Sequence, residues 1–159
     1  MTGRPRPALV AAALVALAAA GTGSLGAAPA RTPTAVGVHI AGKTALEKVQ
    51  SPTVLVDTGT VSGSPVGSGS IRLVYTLHPK TGVATTTFTI ANAKGTVSGT
   101  ATSRYAVTRL HITFTGKASI TRGTRAYAGI RGRPLAFDAI HSVTGKRERI
   151  ALTGRATLP

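Results

Sequence analysis

Four side chains combine the residue types of acid–base chemistry with strand-like surroundings: Asp57, Asp138, His111 and His141. A histidine beside a carboxylate can hold, orient and move a proton near neutral pH. His111 or His141 could meet Asp138 or Asp57 across neighbouring strands. Ser and Thr are plentiful as nucleophiles, but no G-x-S-x-G elbow marks one of them, and a triad is defined by geometry. The competing role for Asp57 and Asp138 is structural: amid so many basic groups, each would pair with an arginine and hold strands together.

Two other chemistries fit worse. "GVHIAGKT", Gly37 to Thr44, matches the pattern of a phosphate-binding loop, yet that loop needs a preceding strand, a following helix and a parallel α/β sheet. Here an all-β pattern follows. His39, His78, His111 and His141 are scattered along the chain, and cysteine is absent, so the ligand spacings of a zinc site are missing. Neither a metal nor another cofactor is expected.

The elements that must position such residues follow from periodicity. Ile71, Leu73, Tyr75 and Leu77 alternate with Arg72, Val74, Thr76 and His78. Leu110, Ile112 and Phe114 do the same with His111, Thr113 and Thr115, as do Ile150, Leu152, Ala156 and Leu158 with their polar neighbours. A period of two is that of a strand with one buried face. Adding 53–61, 83–90, 96–103, 118–121 and 135–141 gives about eight strands. Between them, "GSPVGSGS", "HPKTG", "NAKG", "TRGTRAYAG" and "SVTGKR" supply turn residues. The pattern predicts an all-β antiparallel barrel; closure is favoured over an open sandwich because it removes strand edges. "GTVSG" occurs twice, at Gly59 and Gly95, and reads as two strands bending at glycine. "KTALEKVQ", Lys43 to Gln50, with Pro52 beyond it, is either a short helix or an extended N-terminal arm. The expected organisation is a leader at 1–30, an arm at 31–52 and a barrel domain at 53–159.

The leader reads as a signal peptide. Arg4 and Arg6 precede an apolar run from Ala8 to Ala20, and Ala28-Pro29-Ala30 offers a cleavage site. Thirteen apolar residues are too few for a spanning helix, so a secreted chain without a transmembrane segment is expected, with envelope association as an option. From Arg31, 129 of the 159 residues remain, one domain's worth. They carry 17 basic side chains against Glu47, Asp57, Asp138 and Glu148, a formal balance of +13. Such a field favours anionic partners, above all acidic polymers of a cell envelope. Sequence-specific nucleic-acid binding is not expected: single strands need aromatic platforms, and Tyr75, Phe88, Phe114 and Phe137 sit at core parity.

The segments "VSGSPVGSG", "FTIANAKGTVSGT", "TFTGKASITRGTRAYAGIRG" and "IALTGRATL" together resemble small exported actinobacterial proteins of the allene oxide cyclase-like, or dirigent-like, barrel group. Ile120 to Gly132 carries the most specific part of this resemblance. It implies an eight-stranded antiparallel barrel with a central cavity, and a homo-oligomer. Plant barrels of the group cyclise a fatty-acid epoxide or steer phenolic coupling, but none of their catalytic positions maps onto a residue here. Arg122 and Arg125 stand where that turn has glycines. With Tyr127, Arg131 and Arg133 they form the expected basic rim for a ligand or polyanion. The favoured reading is a non-enzymatic exported barrel that holds a small apolar ligand or adheres to envelope polyanions. A cyclase, isomerase or dirigent-type activity in the cavity is the second reading, and a scaffold with a filled barrel the third.

Overall fold

The computed structural model describes residues 32–142 and 148–159; the leader expected at 1–30 lies outside them. Eight antiparallel strands run in chain order around a closed barrel: β1 (Thr34–Ser51), β2 (Val54–Ser64), β3 (Gly69–His78), β4 (Val83–Asn92), β5 (Gly95–Val107), β6 (His111–Gly123), β7 (Gly132–Ser142) and β8 (Glu148–Leu158). Closure comes from β8 pairing with β1, from Thr34↔Leu158 to Thr44↔Glu148. A single 3₁₀ turn, Arg125–Tyr127, interrupts the strand pattern among the described residues. None of these residues lies in a helix long and apolar enough to cross a membrane.

Two expectations need correction. The stretch assigned to an N-terminal arm or short helix is β1, paired on both sides, so the barrel starts at Thr34 rather than Thr53. Ladder bonds to two neighbours override the helix propensity of "TALEK", since propensity is a weak prior against tertiary pairing. Val38, Ile40 and Thr44 are buried at period two. Lys43, in the phosphate-loop match, is an exposed mid-strand residue of β1. Finally, 111–115 and 118–121 are not two strands but parts of β6, and Leu110, read as an inward residue, lies exposed just before it. The total of eight was therefore reached by splitting one strand and missing another.

The two ends of the barrel differ. Ile71, Ile90, Val97, Ile120, Leu135, Leu152 and Ala156 fill the end where β8 finishes and β1 begins. Ile130 and Tyr127, from the β6–β7 connection, are buried with them. Tyr127 donates its hydroxyl hydrogen to the Val66 carbonyl (3.1 Å) and accepts from Asn92 Nδ2 (2.9 Å), which also donates to that carbonyl. This residue, expected on an exposed rim, is instead part of a plug.

Toward the opposite end the lining becomes aromatic and polar. Phe88 lies over Gly99, where an added methyl group would collide with its ring and with the Ser119 carbonyl. Tyr75 stacks on Phe114 with centroids 4.5 Å apart, and Tyr105 tilts against Phe114 at 6.2 Å. Leu77, Tyr105 and Ile112 are partly buried and pack against the core at this end.

Candidate functional site

Inward parity explains how three charged side chains come to share the barrel interior. On β7, Leu135, Phe137, Ala139 and His141 are buried in alternation; on β8, Glu148 precedes Ile150 and Leu152 on the same face. On β2, Asp57 occupies a core position with no exposure. Because side chains of one strand face alternate in period two, each polar residue is carried inside by the apolar residues two positions away.

These three residues converge at one end. His141 Nδ1 stands 3.1 Å from Asp57 Oδ2 and 2.8 Å from Glu148 Oε1. The nitrogen has one hydrogen to give. Its hydrogen-bond geometry is satisfied toward Asp57, while Glu148 Oε1 has an ionic contact but no hydrogen bond. Glu148 Oε2 instead accepts from the Thr44 hydroxyl at 3.1 Å. Thr44 faces Glu148 across the β1–β8 ladder and Gly59 across β1–β2. A methyl group at Gly59 would collide with the Lys43 carbonyl and the Thr44 backbone, so glycine two residues beyond Asp57 lets β2 and β1 approach beside the cluster.

Burial alone would lower the pKa of His141, but the hydrogen bond to Asp57 and the two nearby carboxylates outweigh it and raise it from 6.5 to about 9. The ring is therefore an imidazolium at neutral pH. Desolvation dominates for Asp57 and, with the neighbouring Glu148 carboxylate, lifts it from 3.8 to about 6 against the lowering effect of His141. Glu148 is lowered from its ordinary value: burial opposes this, but His141, Asp57 and the Thr44 hydroxyl stabilise its charge. Tyr75, whose ring lies 6.5 Å from that of His141, is pushed well above its usual range by burial and then by the two carboxylates, which keeps it protonated.

The four sequence candidates separate cleanly. Asp57 and His141 meet, though not on neighbouring strands: β2 and β7 share no ladder, and the contact crosses the interior. Asp57 pairs with a histidine, not with the expected arginine. His111 is exposed at the start of β6, where its backbone closes a turn with Thr108. Asp138 is exposed on the outer wall. Sequence reasoning missed Glu148, Thr44 and Tyr75. The available signal was parity, since Asp57, His141 and Glu148 each occupy a core register on an otherwise apolar strand face.

One nitrogen and one oxygen from each carboxylate lie within 4.8 Å of one another, a donor set that suits a divalent transition metal. Spacing along the chain could not reveal this, since the ligands come from three strands. The imidazolium between two carboxylates balances the same charges with a proton. Two concavities, of about 1110 and 530 Å³, lie against the outer wall; Asp138 borders the first, and Arg131, Arg133 and Arg155 border the second.

No family model matches the chain, and no curated protein matches it; the likeness to allene oxide cyclase-like barrels thus has no family match behind it. Among solved structures, one named pyocyanin demethylase matches with 20% identity and a TM-score of 0.37, covering 74% of this chain and 98% of that one.

Proposed function

We propose that this barrel moves a proton within a small, largely apolar ligand, as a cyclase or isomerase does, and that the chain works outside the cell. One observation carries the reading: Asp57 is fully buried, with Oδ2 held by His141 and Oδ1 left without a partner. An unpartnered buried carboxylate oxygen is costly in a folded protein, and costs of this kind concentrate at functional sites. Two of the four candidates named for the second reading, Asp57 and His141, are buried ionisable groups inside the wall, which supports that reading.

The chemistry needs no cofactor. Asp57 Oδ1 removes a proton from a carbon acidified by a neighbouring carbonyl; the C–H pair moves into the conjugated system, and the proton returns to a different carbon. His141 holds the carboxylate in place through Nδ1. The ligand is proposed to enter past Leu77, Tyr105 and Ile112, the partly buried apolar side chains packed on the core at this end. Export rests on the basic and apolar pattern of the first thirty residues.

The test is exchange in heavy water. The full chain is incubated with a panel of small apolar enones and ketones, and deuterium uptake is read by mass spectrometry. Uptake by at least one compound, lost in Asp57→Asn with circular dichroism unchanged, is expected. If no compound exchanges and Asp57→Asn changes only stability, the cluster is a structural clasp and the reading fails. Stoichiometric metal in the purified protein, lost in His141→Ala, would overturn it as well.

A further inference from the structure

The outer wall at the plugged end carries an arrangement unrelated to the interior cluster. Arg131 stands just before β7, Arg133 is the second residue of that strand, and Arg155 lies on β8, 22 residues beyond Arg133 in the chain. All three are exposed, and together they border the concavity of about 530 Å³, whose remaining lining includes Ala35, Gly132 and Ala156. Residues 131 and 157 exchange both backbone hydrogen bonds, Arg131 N to Thr157 O at 3.0 Å and Thr157 N to Arg131 O at 2.7 Å. That bridge fixes the start of β7 against the end of β8, so the three guanidinium groups rise from a rigid wall over small residues.

Their charge is uncompensated among the described residues. Four acidic side chains exist in the chain. Asp57 and Glu148 are committed to His141, and no ion pair joins Asp138 or Glu47 to an arginine among the described residues. Arg131 does spend one Nη1 hydrogen on the carbonyl of Ile130, at 2.8 Å, which aims its fork without neutralising it. Three cations around one hollow repel one another unless an anion sits between them, and guanidinium forks suit phosphate oxygens in bidentate pairs.

We infer that Arg131, Arg133 and Arg155 form a phosphate-binding groove for a flexible polymer of closely spaced phosphates, as in polyphosphate or a wall phosphodiester. A polymer is favoured over a single anion because Arg122, Arg125 and Lys94 lie exposed at the same end of the barrel and extend the positive surface beyond the hollow. A nucleic acid is disfavoured because Tyr127, the aromatic residue of this end, is buried with its hydroxyl engaged, which leaves no platform to stack a base. The sequence rim of Arg122, Arg125, Tyr127, Arg131 and Arg133 is thereby redrawn: Arg155 enters, Tyr127 leaves, and Arg122 and Arg125 flank.

The experiment compares two charge-matched triple variants of the full chain. Arg131→Gln/Arg133→Gln/Arg155→Gln removes the groove, and Lys43→Gln/Arg72→Gln/Lys117→Gln removes three exposed cations elsewhere on the wall. Binding of a fluorescent inorganic polyphosphate is followed against salt concentration. The groove variant should bind at least tenfold more weakly, with its salt slope reduced by about 2; the control should lose less than threefold. Equal losses would mean that overall charge alone attracts the polymer and would overturn the groove, as would no binding by the unmodified protein. Tighter binding of single-stranded DNA than of polyphosphate at equal charge would also overturn it. Asp57→Asn should leave polyphosphate binding unchanged, which separates this inference from the interior reaction.

Discussion

His141 and Asp57 touch at 3.1 Å although 84 residues separate them and their strands share no ladder. The contact spans the inside of the barrel, so each residue depends on closure of the wall. With Glu148 2.8 Å from the same nitrogen, the pair sets the electrostatics of one end of the molecule.

Stability should fall as pH rises from neutrality. His141 holds its proton more tightly in the folded chain, at about 9 against 6.5. Its contribution is therefore complete below pH 6.5 and lost as pH climbs through 9. Asp57, raised to about 6, has the same sign at lower pH, fully present below 3.8 and lost by the time pH passes 6. Glu148, being lowered, acts oppositely in acid, its contribution disappearing as pH falls below 4.5. Urea unfolding between pH 6.5 and 9.5 should show a loss on the order of 3 kcal/mol, and His141→Gln should flatten that window. A slope that persists in His141→Gln would assign it elsewhere.

Thr44→Val removes the hydroxyl that Glu148 Oε2 accepts while keeping the β-branched shape. A buried charged acceptor then loses its donor, at a cost of about 1–3 kcal/mol, and the Glu148 carboxyl moves upward. Equilibrium denaturation and carboxyl titration by NMR measure the two effects; no change in either would remove Thr44 from the cluster.

Gly99→Ala should cost about 1–3 kcal/mol by overpacking, because the new methyl group meets the Phe88 ring and the Ser119 carbonyl. Pairing it with Phe88→Leu frees the ring edge. Part of the loss should then return, and strict additivity of the two changes in a denaturation cycle would refute the contact.

Arg125 has φ +51°, a left-handed conformation that costs an ordinary residue about 1–2 kcal/mol. Arg125→Gly relieves this strain but adds unfolded-state freedom, so thermal unfolding should be unchanged or shifted upward by a gain of up to about 1 kcal/mol. Arg122→Gly, inside β6, should instead lose about 0.5–1 kcal/mol.

Tyr127→Phe keeps the ring in the plug and deletes the hydroxyl that joins Val66 to Asn92. A cost of about 1–2 kcal/mol is expected, with faster amide hydrogen exchange in the β2–β3 and β4–β5 connections. Unaltered exchange there would show that ring burial alone holds the plug.

Alternation along the chain determined the antiparallel strands, the buried positions of Tyr75, Phe88, Phe114 and Phe137, and the hairpin that contains Arg125 and Tyr127, because a strand's two faces are written at period two. The same parity held the signal that Asp57, His141 and Glu148 face inward, but it went unused, and in the single sequence Glu148 was one acid among many bases. What parity cannot specify is which inward residues share a level. That depends on register and on how the sheet closes, which turned Thr34–Ser51 from a supposed arm into the strand joining β8 to β2. Only the closed barrel could bring His141 of β7 to Asp57 of β2, because those strands share no ladder and the contact crosses the interior; Arg155 comes near Arg131 through the register of the β7–β8 pairing, which parity does not specify.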